Sequence, residues 1–476
     1  MNGNKTIRFI LAFVSALAFL IAIGQENALA CSTFKLQKGN ELLYCHNLNA
    51  NGMDIPGMVF INKRGVFKKG RTWSELINKD QSNPSSLSWI SKYGSVTFNT
   101  FGRDLPDGGL NEAGLYIWEM GLDTEYPKNA ALPKLCQMNW MQYILDNCST
   151  LDEALRSAYG IEIDGWGWHY FVGDTDGNCA SIEFIKGEVI IHKGEAMPVP
   201  GLFNALYSRE VELSRYFKGF GGFYEPALDD IRIPRYVKTA VMIKNYDPAQ
   251  NAVDYSFSML KSLTVNEPPD WSVVFDVRKR NVYFRTSPFT EIKKFSMDGL
   301  DFSSSGPVMI LDMDIKDGGD VTNLFHPFTA EEVKGLVERL PLPEQFYGAG
   351  GLNKEEYVSR LAYHTLPAAS ADNQYFGGVW KTKAEPAGRD AKENGWELSL
   401  RTKGNAVSGD ISNSNGSAAK APLQHLLLIG NKLSFTFRTA KGTIIEVKAL
   451  LEKDKMLLHL FGIEDDFGSA ELYKQN

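Results

Sequence analysis

The chain has 476 residues, with 50 Lys and Arg against 57 Asp and Glu for a formal charge of −7, and 43% of it is hydrophobic. That length accommodates one large core and a smaller one, and the acidic balance argues against nucleic acid or an anionic membrane as partner. After the first 30 residues no apolar run approaches the ~18 needed to span a bilayer.

Residues 1–30 read as a secretory leader, with Lys5 and Arg8 as the positive region, Phe9 to Ile23 as the apolar stretch and Ala28-Leu29-Ala30 as the cleavage site. Cleavage there predicts an exported protein, periplasmic or extracellular, that begins at Cys31. Such a residue joins a thiol to a free α-amine. The amine has an ordinary pKa of about 8 and can act as the thiol's base once partial burial disfavours its ammonium form. Bacterial lipidation also acts on a cysteine behind a leader, but that pattern wants Leu three places earlier, where Ala28 stands. Lipidation would block both reactive groups, so a lipid-anchored binding protein is the competing reading and an inert N-terminal cysteine a third.

Alternation over Ser32 to Asn47 around Lys38-Gly39-Asn40 predicts a strand pair with Cys31 at its start. Further strands are expected at Met58 to Asn62, Ser95 to Thr100 and Leu115 to Met120, the last after the turn-rich Pro106 to Glu112. Pro133 to Asn147 has helical spacing, and Thr150 with Glu153 forms a capping box that opens a helix at Leu151. Trp168 to Gly173 and Cys179 to Ile185 flank Asp174-Thr175-Asp176-Gly177-Asn178, which reads as a hairpin turn because its glycine is two places early for a calcium loop. Helices are predicted at Ser208 to Phe217 and at Pro234 to Tyr246, the latter with proline at its first position, and strands at Ser272 to Asp276 and Val282 to Thr286.

From about Leu340 the Pro- and Gly-rich sequence loosens, Lys354 to Thr365 reads as a connecting helix, and the rest is strand and turn. Strands are expected at Trp396 to Arg401, Leu423 to Ile429, Leu433 to Arg438, Ile444 to Leu450 and Met456 to Phe461. The organisation predicted is a leader over 1–30, a main domain over 31–340, a linker over 341–371 and a small β domain over 372–476. Cys136 and Cys148 sit at opposite ends of one predicted helix, ~18 Å apart at 1.5 Å per residue and too far to bridge. Cys45, Cys136, Cys148 and Cys179 are expected as buried small apolar residues. No C-x-x-C pair or H-E-x-x-H spacing occurs among the five cysteines and seven histidines, so neither metal nor cofactor is expected.

In chain order, Cys31-Ser32-Thr33-Phe34, Tyr44-Cys45-His46-Asn47-Leu48-Asn49, Ser91-Lys92-Tyr93-Gly94-Ser95 and the run from Pro106 to Leu115 resemble the choloylglycine hydrolase family, and Asn204, Arg235 and Trp271 to Asp276 continue the likeness. Its members, which include penicillin V acylases and conjugated bile acid hydrolases, are N-terminal nucleophile (Ntn) amidases. The resemblance covers Cys31 to roughly Phe302. It implies a four-layer αββα sandwich for the main domain, with hydrolysis of linear non-peptide C–N amide bonds in a small-molecule N-acyl substrate; with the small all-β C-terminal domain read from the strand pattern above, the fold class expected is α+β. Cys31 would be the nucleophile, Asn204 an oxyanion donor with the backbone N–H near Gly121 as the second, and Arg235 an organiser of the site.

Two positions depart from the family's pattern. His46 and Asn49 stand where members usually carry Arg and Asp, so a titratable group replaces a permanent cation and an amide a carboxylate. Asn111 reads as part of a tight turn. The aromatic segments Trp166 to Phe171 and Tyr216 to Tyr224 read mostly as core. An N-acyltransferase on the same scaffold, a binding protein without catalysis and a homo-oligomer all stay open.

Overall fold

The computed structural model describes residues 31–475 apart from 51, 79–84, 86, 265–267, 305, 342–350, 366–377, 383–394, 404–405, 414–419, 430–431, 453–454 and 462–465. The expected leader lies outside these residues. Strands β1 (Ser32–Lys38) and β2 (Glu41–Leu48) pair antiparallel from Ser32↔Asn47 to Lys38↔Glu41. Gly39 turns between them at φ 60°, where a residue without a Cβ is unstrained.

Two sheets form the centre. The first runs in spatial order Gly201–Leu202, β1, β2, Trp271–Asp276, Asn281–Thr286, Lys293–Ser296 and Gly319–Asp320. The second runs Glu188–Lys193, Cys179–Ile185, Trp168–Gly173, Tyr116–Gly121, Gly108–Asn111, Ser95–Asn99, Met58–Asn62, Met309–Asp312 and His326–Pro327. Aromatic contacts join them face to face. Tyr44 stacks on Tyr116 at 4.8 Å, His46 on Trp118 at 4.3 Å, and Phe98 meets Phe275 edge-on at 5.7 Å. The Trp118 indole lies so close to Gly108 that a Cβ there would fall 2.2 Å from it, so this strand crossing requires glycine.

Helices Arg235–Asn245 and Ala252–Ser262 cover the outer face of the first sheet, and Gln137–Asn147 and Leu151–Gly160 that of the second, which completes the αββα order. The capping box is present, with Thr150 accepting from the Glu153 N–H. Lys354–Thr365 lies where a connecting helix is expected, and its Tyr357, Val358 and Leu361 pack into the outer core beside Ala330–Arg339.

Several expectations need correction. The start of the expected Pro133–Asn147 helix is a strand, Lys134–Cys136, drawn into parallel pairing with Glu162–Asp164, and the helix itself is Gln137–Asn147. Pro234 is an N-cap, with Arg235 the first helical residue, and the helix at Tyr207–Ser214 stops short of Phe217. Cys179 is only half-buried, whereas Cys45, Cys136 and Cys148 are buried, and all of them are free thiols. Trp168, Tyr170 and Phe171 are core as expected, whereas the second aromatic segment divides: Phe217 is buried in the core and Phe220 packs against it, but Tyr216, Phe223 and Tyr224 are exposed.

The C-terminal strands make one antiparallel sheet in the order Ala421–Pro422, Ala406–Asn413, Trp396–Lys403, Gly378–Thr382, Asp466–Lys474, Lys455–Phe461, Ile444–Glu452, Lys432–Arg438 and Gln424–Ile429. The Leu423 N–H donates to the Gly409 carbonyl at 2.9 Å, bringing the two ends together into a nearly closed barrel filled by Trp380, Phe435, Phe437 and their neighbours. No described helix is long and apolar enough to cross a membrane.

Candidate active site

Cys31 precedes the first residue of β1 and is buried. Its Sγ–H points at the Asn49 carbonyl, a long contact of 3.9 Å. Asn49 follows β2, so the hairpin carries nucleophile and acceptor on adjacent strands. In the intact chain burial and the nearby Glu119 carboxylate push the thiol up to about 12, against opposing contributions from the Asn49 backbone and Arg235. A thiol in this setting needs a local base to become a nucleophile.

Arg235 enters from the first turn of its helix and is buried. Its Nη1 donates to the Cys31 carbonyl at 2.6 Å and to Ser32 Oγ at 3.2 Å, while Nη2 donates to Asn204 Oδ1 at 3.3 Å. The guanidinium also lies 5.5 Å from the centre of the Phe203 ring. Asn204 sits between the Gly201–Leu202 strand and the Tyr207–Ser214 helix, and its Nδ2 donates to the Gly121 carbonyl at 3.0 Å. With Oδ1 taken by Arg235 and one N–H by Gly121, the carboxamide is held in one orientation and keeps its second N–H for another acceptor.

Cys31, Asn49, Arg235, Asn204 and Gly121 are thus joined in one cluster. His46 is placed differently. It lies in the core between the sheets, with Nδ1 2.6 Å from Thr33 Oγ1 and its ring stacked on Trp118. Burial holds its pKa well below the ordinary histidine range, so it is a neutral ring and not the titratable cation expected from the sequence. Asn111 is structural, as expected: its Oδ1 accepts from Leu115 N and its Nδ2 donates to the Leu145 and Cys148 carbonyls.

Three carboxylates near this cluster escaped the sequence reading. Asp270 is buried and accepts from Ala50 N at 2.7 Å and Ile55 N at 2.8 Å. Glu119, on the strand that ends at Gly121, is driven well above the carboxylate range by burial and then by Asp107, itself raised by burial to about 7. Glu183 is buried between His169 Nδ1 and His192 Nε2, each at 3.2 Å, and accepts from Tyr207 N at 2.8 Å, which fixes the start of the helix just after Asn204. No local motif marks these residues, because their partners are backbone groups or side chains on other strands.

A surface cleft of about 830 Å³ lies elsewhere, lined by Lys35, Asp174, Cys179, Lys193 and neighbours. None of the clustered residues lines it, and Lys35 stands four places along β1 from Cys31. Among the described residues no group of three or more His, Cys, Asp and Glu side chains could hold a metal ion.

No family model matches the chain. Over 268 residues it is 28% identical to a penicillin V acylase of Pectobacterium atrosepticum, covering 52% of this chain and 68% of that one. Its fold is similar to penicillin V acylase from Agrobacterium tumefaciens, with a TM-score of 0.52 and 22% identity over 63% of this chain and 98% of that chain. A variant of conjugated bile acid hydrolase from Clostridium perfringens aligns with a TM-score of 0.47 and 15% identity, over 60% and 98% of the two chains.

Proposed function

We propose that the chain is a member of the choloylglycine hydrolase family, a reading supported by its 28% identity to a penicillin V acylase, and that it is an N-terminal-cysteine amidase that hydrolyses linear non-peptide C–N amide bonds in small N-acyl substrates of the penicillin V type. The observation that carries this reading is the continuous set of contacts from the Cys31 carbonyl through Arg235 to Asn204 and on to Gly121. It sets a rigid amide donor beside a buried thiol.

Removal of residues 1–30 would free the Cys31 α-amine. That amine takes the thiol proton as sulfur adds to the substrate carbonyl carbon, forming a tetrahedral oxyanion. The second N–H of Asn204 and the Gly121 N–H receive the negative charge, an arrangement in which each donor is typically worth about 10² to 10³ in rate. Collapse breaks the C–N bond, and the Cys31 ammonium returns its proton to the leaving amine. Water, deprotonated by the same amine, then attacks the thioester and releases the carboxylic acid and the thiol. Arg235 holds the backbone of the nucleophile and the oxygen of the oxyanion donor together, so that their spacing survives each step.

The leader-like residues 1–30 support export to the periplasm or beyond. The test is a hydrolysis panel of penicillin V, glycine- and taurine-conjugated bile acids and acyl-homoserine lactones, run with the processed protein and with Cys31→Ser. Turnover of one substrate class that disappears in the variant is expected. Lack of turnover by correctly processed protein on every substrate would refute the reading.

A further inference from the structure

The Asn49–Ala50 peptide is gripped at both ends. Its carbonyl faces the Cys31 thiol at 3.9 Å, and its N–H, on Ala50, donates to Asp270 Oδ2 at 2.7 Å. The other oxygen of the same carboxylate accepts from Ile55 N at 2.8 Å, so one side chain fixes two points of the loop that leaves β2. Asp270 is itself well anchored. It directly precedes the strand Trp271–Asp276, whose Trp271 pairs with Leu48, the last residue of β2. Its carbonyl accepts from Ser287 N, and the adjacent Trp271 Nε1 donates to the Ile55 carbonyl at 2.7 Å.

Burying a carboxylate costs several kcal/mol unless hydrogen bonds repay it. A loop needing only two turn acceptors would be served as well by a neutral Asn or Ser. Burial raises the Asp270 carboxyl above its ordinary value and the Ala50 and Ile55 N–H groups oppose that rise, so placing an ionisable group there, where a neutral acceptor would close the loop, calls for a reason beyond loop closure. We propose that Asp270 is a positioning residue of the Cys31 centre, aiming the Asn49 carbonyl at the sulfur and setting a fixed negative charge behind it that favours the protonated form of the Cys31 amine.

The proposal rests on the amidase reading only for its effect on turnover. Other charged or titratable groups around the pair are Glu119 from the facing sheet, Arg235 from its helix, neutral His46 on β2 and Asp54 in the clamped loop itself. Asp270 also acts on the thiol electrostatically, in the direction that keeps its proton on.

The experiment measures iodoacetamide alkylation of the processed protein against pH, together with kcat and KM, for wild type, Asp270→Asn and Asp270→Glu. In Asp270→Asn an N–H₂ faces a backbone N–H and the charge is lost. The apparent alkylation midpoint of the amine–thiol pair is expected to fall by about half a pH unit, and kcat to fall roughly tenfold or more with KM within about twofold. Loosened access alone would change the plateau rate and leave the midpoint in place. Asp270→Glu restores the charge, so its midpoint should return to that of wild type and its kcat should recover most of the loss; if the Asn variant does not fold, Asp270→Ser, which removes the charge in a smaller side chain, takes its place and is read in the same way. A folded Asp270→Asn with an unmoved midpoint, or a folded Asp270→Glu with a displaced one, overturns the assignment. Alkylation requires no substrate, so a wild-type protein without turnover would defeat the amidase reading while leaving this result to stand or fall separately.

Discussion

Replacing Arg235 by Met removes the link between nucleophile and oxyanion donor while keeping most of the side-chain volume. Three hydrogen bonds are lost, two of them to the backbone and hydroxyl of Cys31 and Ser32 and one to Asn204 Oδ1. A hydrogen bond to a charged group is worth about 1.5–3 kcal/mol, but these three share one guanidinium and cannot be summed. Taking the equivalent of two, the barrier should rise by about 3–4 kcal/mol, a loss of roughly 10² to 10³ in kcat/KM. Arg235→Lys keeps the charge but cannot reach the Cys31 carbonyl and Asn204 with one fork, so it should fall between wild type and Met. The assay is initial-rate hydrolysis of the best substrate from the panel, with thermal unfolding alongside to separate folding from function. A well-folded Arg235→Met enzyme within fivefold of wild type would refute the claim that this residue organises the site.

Asn204→Ala should lower kcat by about 10² to 10³ with little change in KM, since the donor acts mainly on the oxyanion; single-turnover kinetics would show the loss in thioester formation. His46→Arg forces a charge between the sheets against Trp118 and should destabilise the fold by on the order of 3 kcal/mol, measured by chemical denaturation. Glu183 is depressed to about 2, because hydrogen bonds from His169 and His192 outweigh the opposing effect of burial. A depressed carboxylate stabilises the native state above its unfolded pKa, and that stability disappears as pH falls through the folded value. Wild type should therefore lose on the order of 3 kcal/mol between about pH 4.5 and 2 that Glu183→Gln never had, so the two denaturation curves should converge toward pH 2.

The centre of the fold was legible where local chemistry and tertiary pairing agree. The hairpin of β1 and β2, the strands Met58–Asn62, Trp168–Gly173 and Cys179–Ile185, and the helices Leu151–Gly160 and Lys354–Thr365 carry alternation, turn residues or caps that match their final partners. The strand Glu188–Lys193 was missed although its signal is local. Lys186 and Gly187 both have positive φ, the pattern of a tight two-residue hairpin turn. The helix Ala252–Ser262 was missed as well, even though Asn251 caps it. At Lys134–Cys136 helical spacing lost to a parallel partner 28 residues further along, Glu162–Asp164, which no local pattern announces.

Within the candidate site the residues drawn from the family likeness do gather around Cys31, apart from His46, whose burial against Trp118 removes its charge. Asp270 and Glu183 were invisible for a different reason. Asp270 binds N–H groups of the loop after β2 and Glu183 the first N–H of the Tyr207–Ser214 helix, partners distant in sequence, and such a carboxylate looks like any other polar loop or strand residue until the sheets are assembled.

The most direct test is the intact mass and N-terminal sequence of the active protein recovered from an exporting bacterial host, before and after acid quench during turnover. The account predicts a chain that starts at Cys31, unmodified at rest, and a quenched fraction heavier by the acyl group, with the added mass on Cys31. A first residue other than Cys31, or a lipid on its sulfur or nitrogen, would contradict it.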